Sequence, residues 1–478
     1  MATTAGAKKG LWSTIRRIAA SDRISGLIML GFALTGLVLA NLPATAHAFE
    51  TVAETHLFIP YTNLDLPIGH WAQDGLLTIF FLTVGLELKQ ELTTGSLANP
   101  KAAAVPMLCA VGGMIAPPIL FLAVTALFSQ IGPGEPGTLI LTTTGSSIPF
   151  SEMSHGWAVP TATDIAFSLA VLALFAKALP GSIRAFLMTL ATVDDLLAII
   201  LIAVFFSSIN AWYWFIGIAV CAAIWAYLVR LKKVPWIAVG IVGILAWIMM
   251  FEAGVHPTLA GVLVGLLTPS REMHGELSPR AERYANKLQP FSALLALPIF
   301  ALFATGVHFE SMSPLLLVSP LVIALIVALV VGKPLGIITT AWLATHVGGL
   351  KMAKGLRVRD MIPAAVACGI GFTVSFLIAS LAYKNAELSA EARFGVLVAS
   401  LIAAAISGVL LSRQSKRFEK AAAAQAAAAE ALADAEAGES IDGNGTGQPI
   451  RTTKPTTPTE HPGTLADGTA SVEIDFRH

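Results

Sequence analysis

The sequence has 478 residues, with 30 Lys or Arg and 30 Asp or Glu, so its formal net charge is zero. Only 13% of the residues are charged, about half of the roughly 25% typical of soluble domains, and 55% are apolar. This composition excludes a soluble globular protein, a disordered chain and a nucleic-acid-binding protein. It predicts an all-α polytopic membrane protein in a lipid bilayer.

The charge divides the chain into three predicted parts. Residues 418–478 hold 4 basic and 10 acidic residues, and the remaining 26 basic and 20 acidic residues lie in 1–417. We expect a cytoplasmic N-terminal segment at 1–23, a transmembrane domain at 24–417 and a cytoplasmic tail at 418–478. The tail begins with an Ala-rich stretch, 421–437, that favours a fraying helix. Its residues 440–470 have a composition typical of disorder.

Twelve apolar segments approach the roughly 20 residues that a transmembrane helix needs. The eighth is short, and the tenth is too long for one simple helix and is interrupted at Gly332-Lys333-Pro334. The predicted spans are 24–42, 71–88, 102–128, 157–176, 183–206, 211–229, 234–251, 254–268, 290–308, 315–345, 361–383 and 394–412.

Basic residues alternate between the connections. They precede the first span and follow each even-numbered span, whereas Lys384 and Arg393 are the only ones in the other connections. Because cytoplasmic connections are enriched in Lys and Arg, both termini are expected in the cytoplasm. Arg16-Arg17, an apolar run and Ala46-His47-Ala48 also resemble a cleaved secretory signal. That run is longer than the usual 7–15 residues or so, and cleavage would break the alternation.

Asp194 and Asp195 lie near the middle of the fifth span. A charged group there costs about 2.5–3.5 kcal/mol on insertion scales, so it is a functional candidate by default. Adjacent helical positions point about 100° apart, so one carboxylate can face a cavity while the other pairs with a neighbouring helix. Two neighbouring carboxylates without a water shell repel, which favours binding of a proton or of a hard cation such as Na⁺. A purely structural hydrogen-bonded pair is the alternative.

Two spans carry residues that favour an unwound segment at mid-membrane. Pro160, Thr163 and Asp164 do so in the fourth span, and the glycines and hydroxyls of residues 368–375 do so in the eleventh. Interrupted spans in corresponding positions are typical of inverted repeats around a binding site. A simple proline kink in the fourth span and close helix packing in the eleventh are the alternatives.

Four further ionisable residues are candidates. Lys333 needs a counter-charge, for which Asp194 is suitable, or it snorkels to an interface. Glu87 and Glu91 share a helix face at the cytoplasmic end of the second span, where they form an acidic funnel or an ordinary solvated helix end. His256 titrates near neutral pH on the outer side, or is a hydrogen-bonded structural residue.

These segments together resemble the NhaA-type sodium/proton antiporters of bacterial inner membranes, which themselves exemplify inverted-repeat transporters. The resemblance covers about residues 20–415 in the family's order. The matching segments are Val84-Gly85-Leu86-Glu87, 156–167, Asp194-Asp195, 254–261, Gly332-Lys333-Pro334-Leu335-Gly336 and 368–373.

The resemblance implies twelve transmembrane helices, with discontinuous spans 4 and 11 crossing at mid-membrane. It implies electrogenic, pH-regulated exchange of Na⁺ or Li⁺ for H⁺ without ATP or another cofactor, in the service of sodium and pH homeostasis. Asp195 would be the central ion site, with Asp194 as its partner, alternately protonated or paired with Lys333. Asp164 and Thr163 would line the helix crossing and offset the dipole ends, and Glu87 would belong to the pH response.

The sequence departs from the family pattern at two positions that bear on the pH threshold. Lys89-Gln90-Glu91 stands where the family often has Lys-Arg-Glu, and Ala285 stands at a position where the family tends to have Glu. A homodimer is a further expectation, with residues 43–70 as a periplasmic hairpin between protomers.

Two other functions fit parts of the sequence. An ion-coupled symporter for an organic anion would use broken helices and Lys333 as the substrate's counter-charge. An intramembrane aspartyl protease would use two membrane Asp residues. It would also need a GxGD pattern, and Gly369-Ile370-Gly371-Phe372 has Phe in the Asp position.

Overall fold

The computed structural model describes residues 16–19, 21–58, 64–132, 136–141, 145–176, 179–306, 314–352 and 356–442. Helices dominate this part of the chain. Those of the first half are α1 (Asp22–Asn41), α2 (Ala46–Glu54), α3 (Ile68–His70), α4 (Leu77–Thr93), α5 (Pro100–Ile131), α6 (Phe150–Ser154), α7 (Ile165–Phe175), α8 (Gly181–Phe205) and α9 (Trp214–Leu228).

The second half of the described chain continues in the same way. Its helices are α10 (Trp236–Ala253), α11 (Leu259–Leu267), α12 (Arg280–Phe291), α13 (Leu297–Thr305), α14 (Pro320–Ile326), α15 (Lys333–His346), α16 (Ile362–Ala367), α17 (Phe372–Ala382) and α18 (Ala386–Asp442). Short 3₁₀ segments lie at Ser96–Ala98, His155–Thr161, Pro314–Val318 and Val358–Met361.

Strands occur only as two short antiparallel hairpins in the described residues. Strands β1 (His56–Phe58) and β2 (Asp65–Pro67) pair with Leu57 opposite Leu66. Strands β3 (Thr138–Ile140) and β4 (Ser147–Pro149) pair with Leu139 opposite Ile148. Both hairpins lie in connections, so the all-α class holds.

Seven helices of the described chain are long and apolar enough to cross a membrane, and nine if two bent helix pairs each count as one span. The bends are 50° between the segments Phe150–Thr161 and Ile165–Phe175, and 58° between Val358–Ala367 and Phe372–Ala382. These are the predicted interrupted spans 4 and 11. The other three predicted spans coincide with α4, α9 and α11, which are shorter than 18 residues, so the count of twelve stays a prediction.

Three segments are π-helical: Trp71–Leu76 before α4, Ser292–Ala296 between α12 and α13, and Val327–Gly332 before α15. The last of these corrects the expectation of an interruption at Gly332-Lys333-Pro334. The helix runs from Pro320 to His346 as one long span, because a π-turn absorbs the irregularity without a break.

Glycines bring two helix pairs into backbone contact. A methyl group added at Gly85 of α4 would lie 2.7 Å from the Val262 carbonyl oxygen of α11. A methyl group at Gly112 of α5 would lie 2.7 Å from the Gly336 carbonyl oxygen of α15. Small residues permit this close approach, which is characteristic of helix pairs in membranes.

A buried arginine closes the connection between α11 and α12. Arg280 is fully buried, and its Nη1 donates to the carbonyl oxygens of Val229 and Leu231, both at 2.7 Å. Its Nη2 pairs with Glu276 at 2.7 Å, and its Nε donates to both oxygens of the same carboxylate at 3.1 Å. The guanidinium therefore links the residues that directly follow α9 to the start of α12.

The chain forms two compact units, Met1–Lys420 and Ala421–His478. In the second unit helix α18 continues to Asp442, and its residues 421–432 are exposed. The stretch predicted to be disordered falls mostly beyond residue 442, and that part lies outside the described residues.

Candidate functional site

An ion pair joins α8 to α15 inside the protein. Lys333 Nζ lies 2.8 Å from Asp194 Oδ2, and both residues are fully buried. Lys333 Nζ also donates to the carbonyl oxygen of Thr161, which ends the 3₁₀ segment His155–Thr161 in the first of the two bent spans. The ammonium thus faces a carboxylate and the negative end of a half-helix, both of which offset its burial. Snorkelling does not occur.

Asp194 is only partly satisfied. Its Oδ2 accepts from Lys333, whereas its Oδ1 is buried without a hydrogen-bond partner among the described residues. A buried oxygen without a donor is costly, so this carboxylate gains if a proton or cation comes close to it.

Asp195 follows on the same helix but faces elsewhere. The residue is 7% exposed, and it makes no hydrogen bond or ion pair with any residue that the structure describes. The charged groups that act on it electrostatically are Asp194, Asp164, Glu87 and Lys333. Three of these four are acidic, so the surroundings of Asp195 favour binding of a positive ion.

Asp164 links the two helix breaks. Its Oδ1 accepts the Phe167 N–H at 2.9 Å and so caps α7. Its Oδ2 accepts the Thr373 hydroxyl at 2.8 Å and the Thr373 N–H at 3.2 Å, in the first turn of α17. One carboxylate thus serves the positive ends of two half-helices, where an anion is stabilised.

Further bonds run reciprocally between the breaks. The Thr163 hydroxyl donates to the Cys368 carbonyl at 2.9 Å, and the Ser168 hydroxyl to that of Ala367 at 2.8 Å. In the opposite direction, the Ser375 hydroxyl donates to the Val159 carbonyl at 2.8 Å. Backbone groups freed by each break are therefore satisfied by the other span, as an irregular segment inside a membrane protein requires.

The two glutamates of α4 differ in their surroundings. Glu87 is exposed, and its neighbour Leu86 packs against Ala285 and Tyr284 of α12. Glu91 accepts the Ser96 hydroxyl at 2.8 Å and the Ser96 N–H at 2.9 Å, so it is anchored to the following 3₁₀ turn. The structure does not bring either residue into contact with the aspartate pair.

His256 lies in a second buried polar pair that sequence reasoning missed. Its Nε2 lies 3.5 Å from Asp74 Oδ1, and its Nδ1 lies 2.7 Å from the Thr258 hydroxyl. The Asp74 carbonyl, in the π-helical turn before α4, accepts the Trp247 indole N–H at 3.2 Å. The position of Asp74 inside a predicted span could have marked it as a candidate. Its pairing with His256 could not be predicted, because the two residues are distant in sequence.

Residues 16–411 match the family described as Na⁺/H⁺ antiporter 1. This chain belongs to that family. A Na⁺/H⁺ antiporter NhaA of Bifidobacterium longum (strain NCC 2705) is 96% identical over 478 residues, which cover 100% of both chains. NhaA 1 of Kineococcus radiotolerans is 37% identical over 92% of this chain and 96% of its own. NhaA 3 of Streptomyces coelicolor is 38% identical, covering 83% of this chain and 80% of its own.

Membership of the antiporter family makes this chain a multi-pass membrane transporter that exchanges sodium ions for protons, rather than an enzyme. It argues against both alternatives raised by the sequence, the organic-anion symporter and the intramembrane protease. Sodium is then the transported substrate. Among the described residues no group of three or more His, Cys, Asp or Glu side chains could hold a metal ion.

Proposed function

We propose that this chain exports Na⁺, and also Li⁺, in electrogenic exchange for protons, and that the two ions compete at Asp195. The observation that carries this proposal is the contrast within the aspartate pair. Asp194 is held by Lys333, whereas Asp195 is almost buried and has no partner among the described residues.

A simple cycle follows from that contrast. Na⁺ approaching Asp195 also attracts the unpaired Oδ1 of Asp194, since hard cations collect oxygen ligands. The Lys333–Asp194 pair then weakens, because the carboxylate charge is shared with the cation. Lys333, deprived of this counter-charge while buried, releases its proton. A returning proton displaces Na⁺ from Asp195 and another recharges Lys333, so that the pair forms again and more than one H⁺ is exchanged for each Na⁺. Lys333 and Asp194 thus balance charge, while Asp164 and Thr163 hold the breaks in place.

We further propose that Glu87 and Glu91 form a cytoplasmic cation funnel and that His256 modulates the pH response on the outer side. Ala285 packs on Leu86, beside Glu87, with an apolar side chain. A pH threshold that depends on α4 and α12 would therefore differ from that of relatives with a carboxylate there.

The proposed location is the bacterial inner membrane, with both termini in the cytoplasm, and the proposed assembly is a homodimer through the β1–β2 hairpin. Leu57 and Phe58 in that hairpin are exposed, whereas all three cysteines are buried. A Leu57→Cys variant should therefore form an inter-chain disulfide. Ile209→Cys, on another exposed connection of the same predicted side, is the control. Equal or absent cross-linking in the two variants would contradict the hairpin dimer.

The transport proposal is tested in inside-out vesicles from cells without other sodium exchangers. After the interior is acidified, Na⁺ or Li⁺ should dissipate the gradient, more so at higher pH. Asp195→Asn should lower this response at least about 100-fold, since a neutral amide cannot exchange a proton for a cation. Glu272→Gln, an exposed carboxylate in a connection, is the matched control. Retained exchange in the folded Asp195→Asn variant would refute the assignment.

A further inference from the structure

A cleft of about 840 Å³ lies beside the C-terminal half of α15, away from the aspartate pair. Its volume is within the range of roughly 300–1,000 Å³ common for ligand pockets. The cleft is lined by Ile338, Trp342 and His346 of α15, and also by Arg357 and Arg359 of the connection that follows.

Along one face of α15, the side chains change from apolar to polar toward the end of the helix. Leu335, Thr339, Trp342 and His346 follow the i, i+4, i+7 spacing of one helix face, and Leu335 and Trp342 are each 50% exposed. Because Lys333 is at the buried ion pair, His346 lies roughly 20 Å further along the axis, near the membrane surface. The Trp342 ring stacks on His346 with centroids 5.3 Å apart, and tryptophan is typical of the membrane–water boundary.

The two arginines that line the cleft have no acidic partner among the described residues. Arg357 and Arg359 are both exposed, and no carboxylate of the described residues lies within 4 Å of either guanidinium. The nearby Asp360 uses its Oδ2 to accept the backbone N–H of Arg357 at 3.3 Å. Lys351, in the same connection, is also exposed. The cleft is therefore lined both by apolar residues of α15 and by exposed arginines.

We propose that this cleft binds an anionic phospholipid. The phosphate would lie between Arg357 and Arg359, whose planar guanidinium groups match phosphate oxygens, with Lys351 adding to the local field. One acyl chain would follow Leu335, Ile338 and Trp342 toward the membrane core. Basic pockets between transmembrane helices at the cytoplasmic surface suit such headgroups. The inference rests on the cytoplasmic position of this connection that is proposed above.

The test uses the purified full-length chain in detergent and native mass spectrometry with added phosphatidylglycerol, or with phosphatidylcholine carrying the same acyl chains. A basic residue near an anionic lipid surface contributes roughly fivefold in affinity. The Arg357→Gln/Arg359→Gln variant should therefore bind phosphatidylglycerol about 25-fold more weakly and phosphatidylcholine unchanged. Arg413→Gln/Arg417→Gln, which removes two exposed arginines of α18, should bind both lipids as the parent does.

Three outcomes would overturn the proposal: unchanged phosphatidylglycerol binding in the first variant, an equal loss in the α18 control, or displacement of the lipid by inorganic phosphate at equal concentration. If the double variant does not fold, each single Arg→Gln variant should lose roughly fivefold instead. The lipid measurement requires no transport. A chain that binds the lipid but exchanges no sodium would refute the proposed function and leave this inference standing.

Discussion

Lys333 and Arg280 are both fully buried cations, yet their surroundings differ. Arg280 uses all three guanidinium nitrogens, on two carbonyl oxygens and on both oxygens of Glu276. Lys333 has one carboxylate oxygen and one carbonyl. The carboxylate it uses has a second oxygen without a partner, and Asp195 follows it directly.

The comparison separates a fixed charge from one that can change partners. A buried ion with a partner on every nitrogen is held in one arrangement, because any movement leaves groups unsatisfied. A buried ion with incomplete partners is costly in each of its states, so a proton or cation can tip the balance between them. Arg280 therefore stabilises the structure, whereas Lys333 has the incomplete set of partners that its proposed role in exchange requires.

The largest expected effect is at the Lys333–Asp194 pair. Lys333→Gln or Asp194→Asn alone leaves one buried charge uncompensated and should destabilise the folded protein by about 3–5 kcal/mol. The double variant removes both charges and should recover most of that loss, but not exchange. Thermal unfolding in detergent gives stability, and sodium-dependent proton movement in vesicles gives transport.

The double-mutant cycle can also contradict the comparison. If the losses of stability simply add, then the two residues do not interact as an ion pair. If the double variant still exchanges sodium, then the pair is structural in the same sense as Arg280.

A middle-sized effect is expected at Arg280. Arg280→Gln leaves the Val229 and Leu231 carbonyls without their donor and should cost about 1–3 kcal/mol. The rate of exchange per folded molecule should stay within about twofold of the parent's rate, because Arg280 and its hydrogen-bond partners are not part of the ion site. The measurement is the melting temperature, with vesicle exchange normalised to folded protein. A large fall in sodium affinity without a fall in melting temperature would place Arg280 in the transport cycle.

The smallest effect is expected at Glu276, and it depends on pH. Hydrogen bonds from Arg280 hold the pKa of the Glu276 carboxyl below its ordinary value of 4.5. The ionised form is thus favoured by folding, so its contribution is full above pH 4.5 and is lost as pH falls through the folded pKa. Glu276→Gln should lower the melting temperature at about pH 7 by a few degrees, and this difference should shrink at about pH 3. A difference that grows on acidification would contradict this sign.

Much of the membrane architecture is predictable from the sequence, because each signal is local. The bends fall where Pro160 to Asp164 and the glycines after Cys368 predict them. An aspartate or lysine inside an apolar run can be recognised as a functional candidate for the same reason. The roles of these residues in exchange stay predictions, which the vesicle experiments address.

Other features depend on contacts that no local pattern contains. In the sequence, Arg280 is one of several basic residues in a connection. Its structural role depends on the Val229 carbonyl, which is 51 positions away and accepts a hydrogen bond from its Nη1. The Asp74–His256 pair is equally non-local. The π-turns escape prediction because one inserted residue barely alters an apolar run, whereas it changes the hydrogen-bond pattern.

The glycine contact between α5 and α15 limits how the ion pair can open. With no side chain between Gly112 and Gly336, the two backbones touch, and α15 cannot slide or rotate on α5 without a clash. Lys333 begins α15 only three residues before that contact. Any displacement that moves the backbone of α15 away from α8 must therefore carry α5 with it, as one moving body.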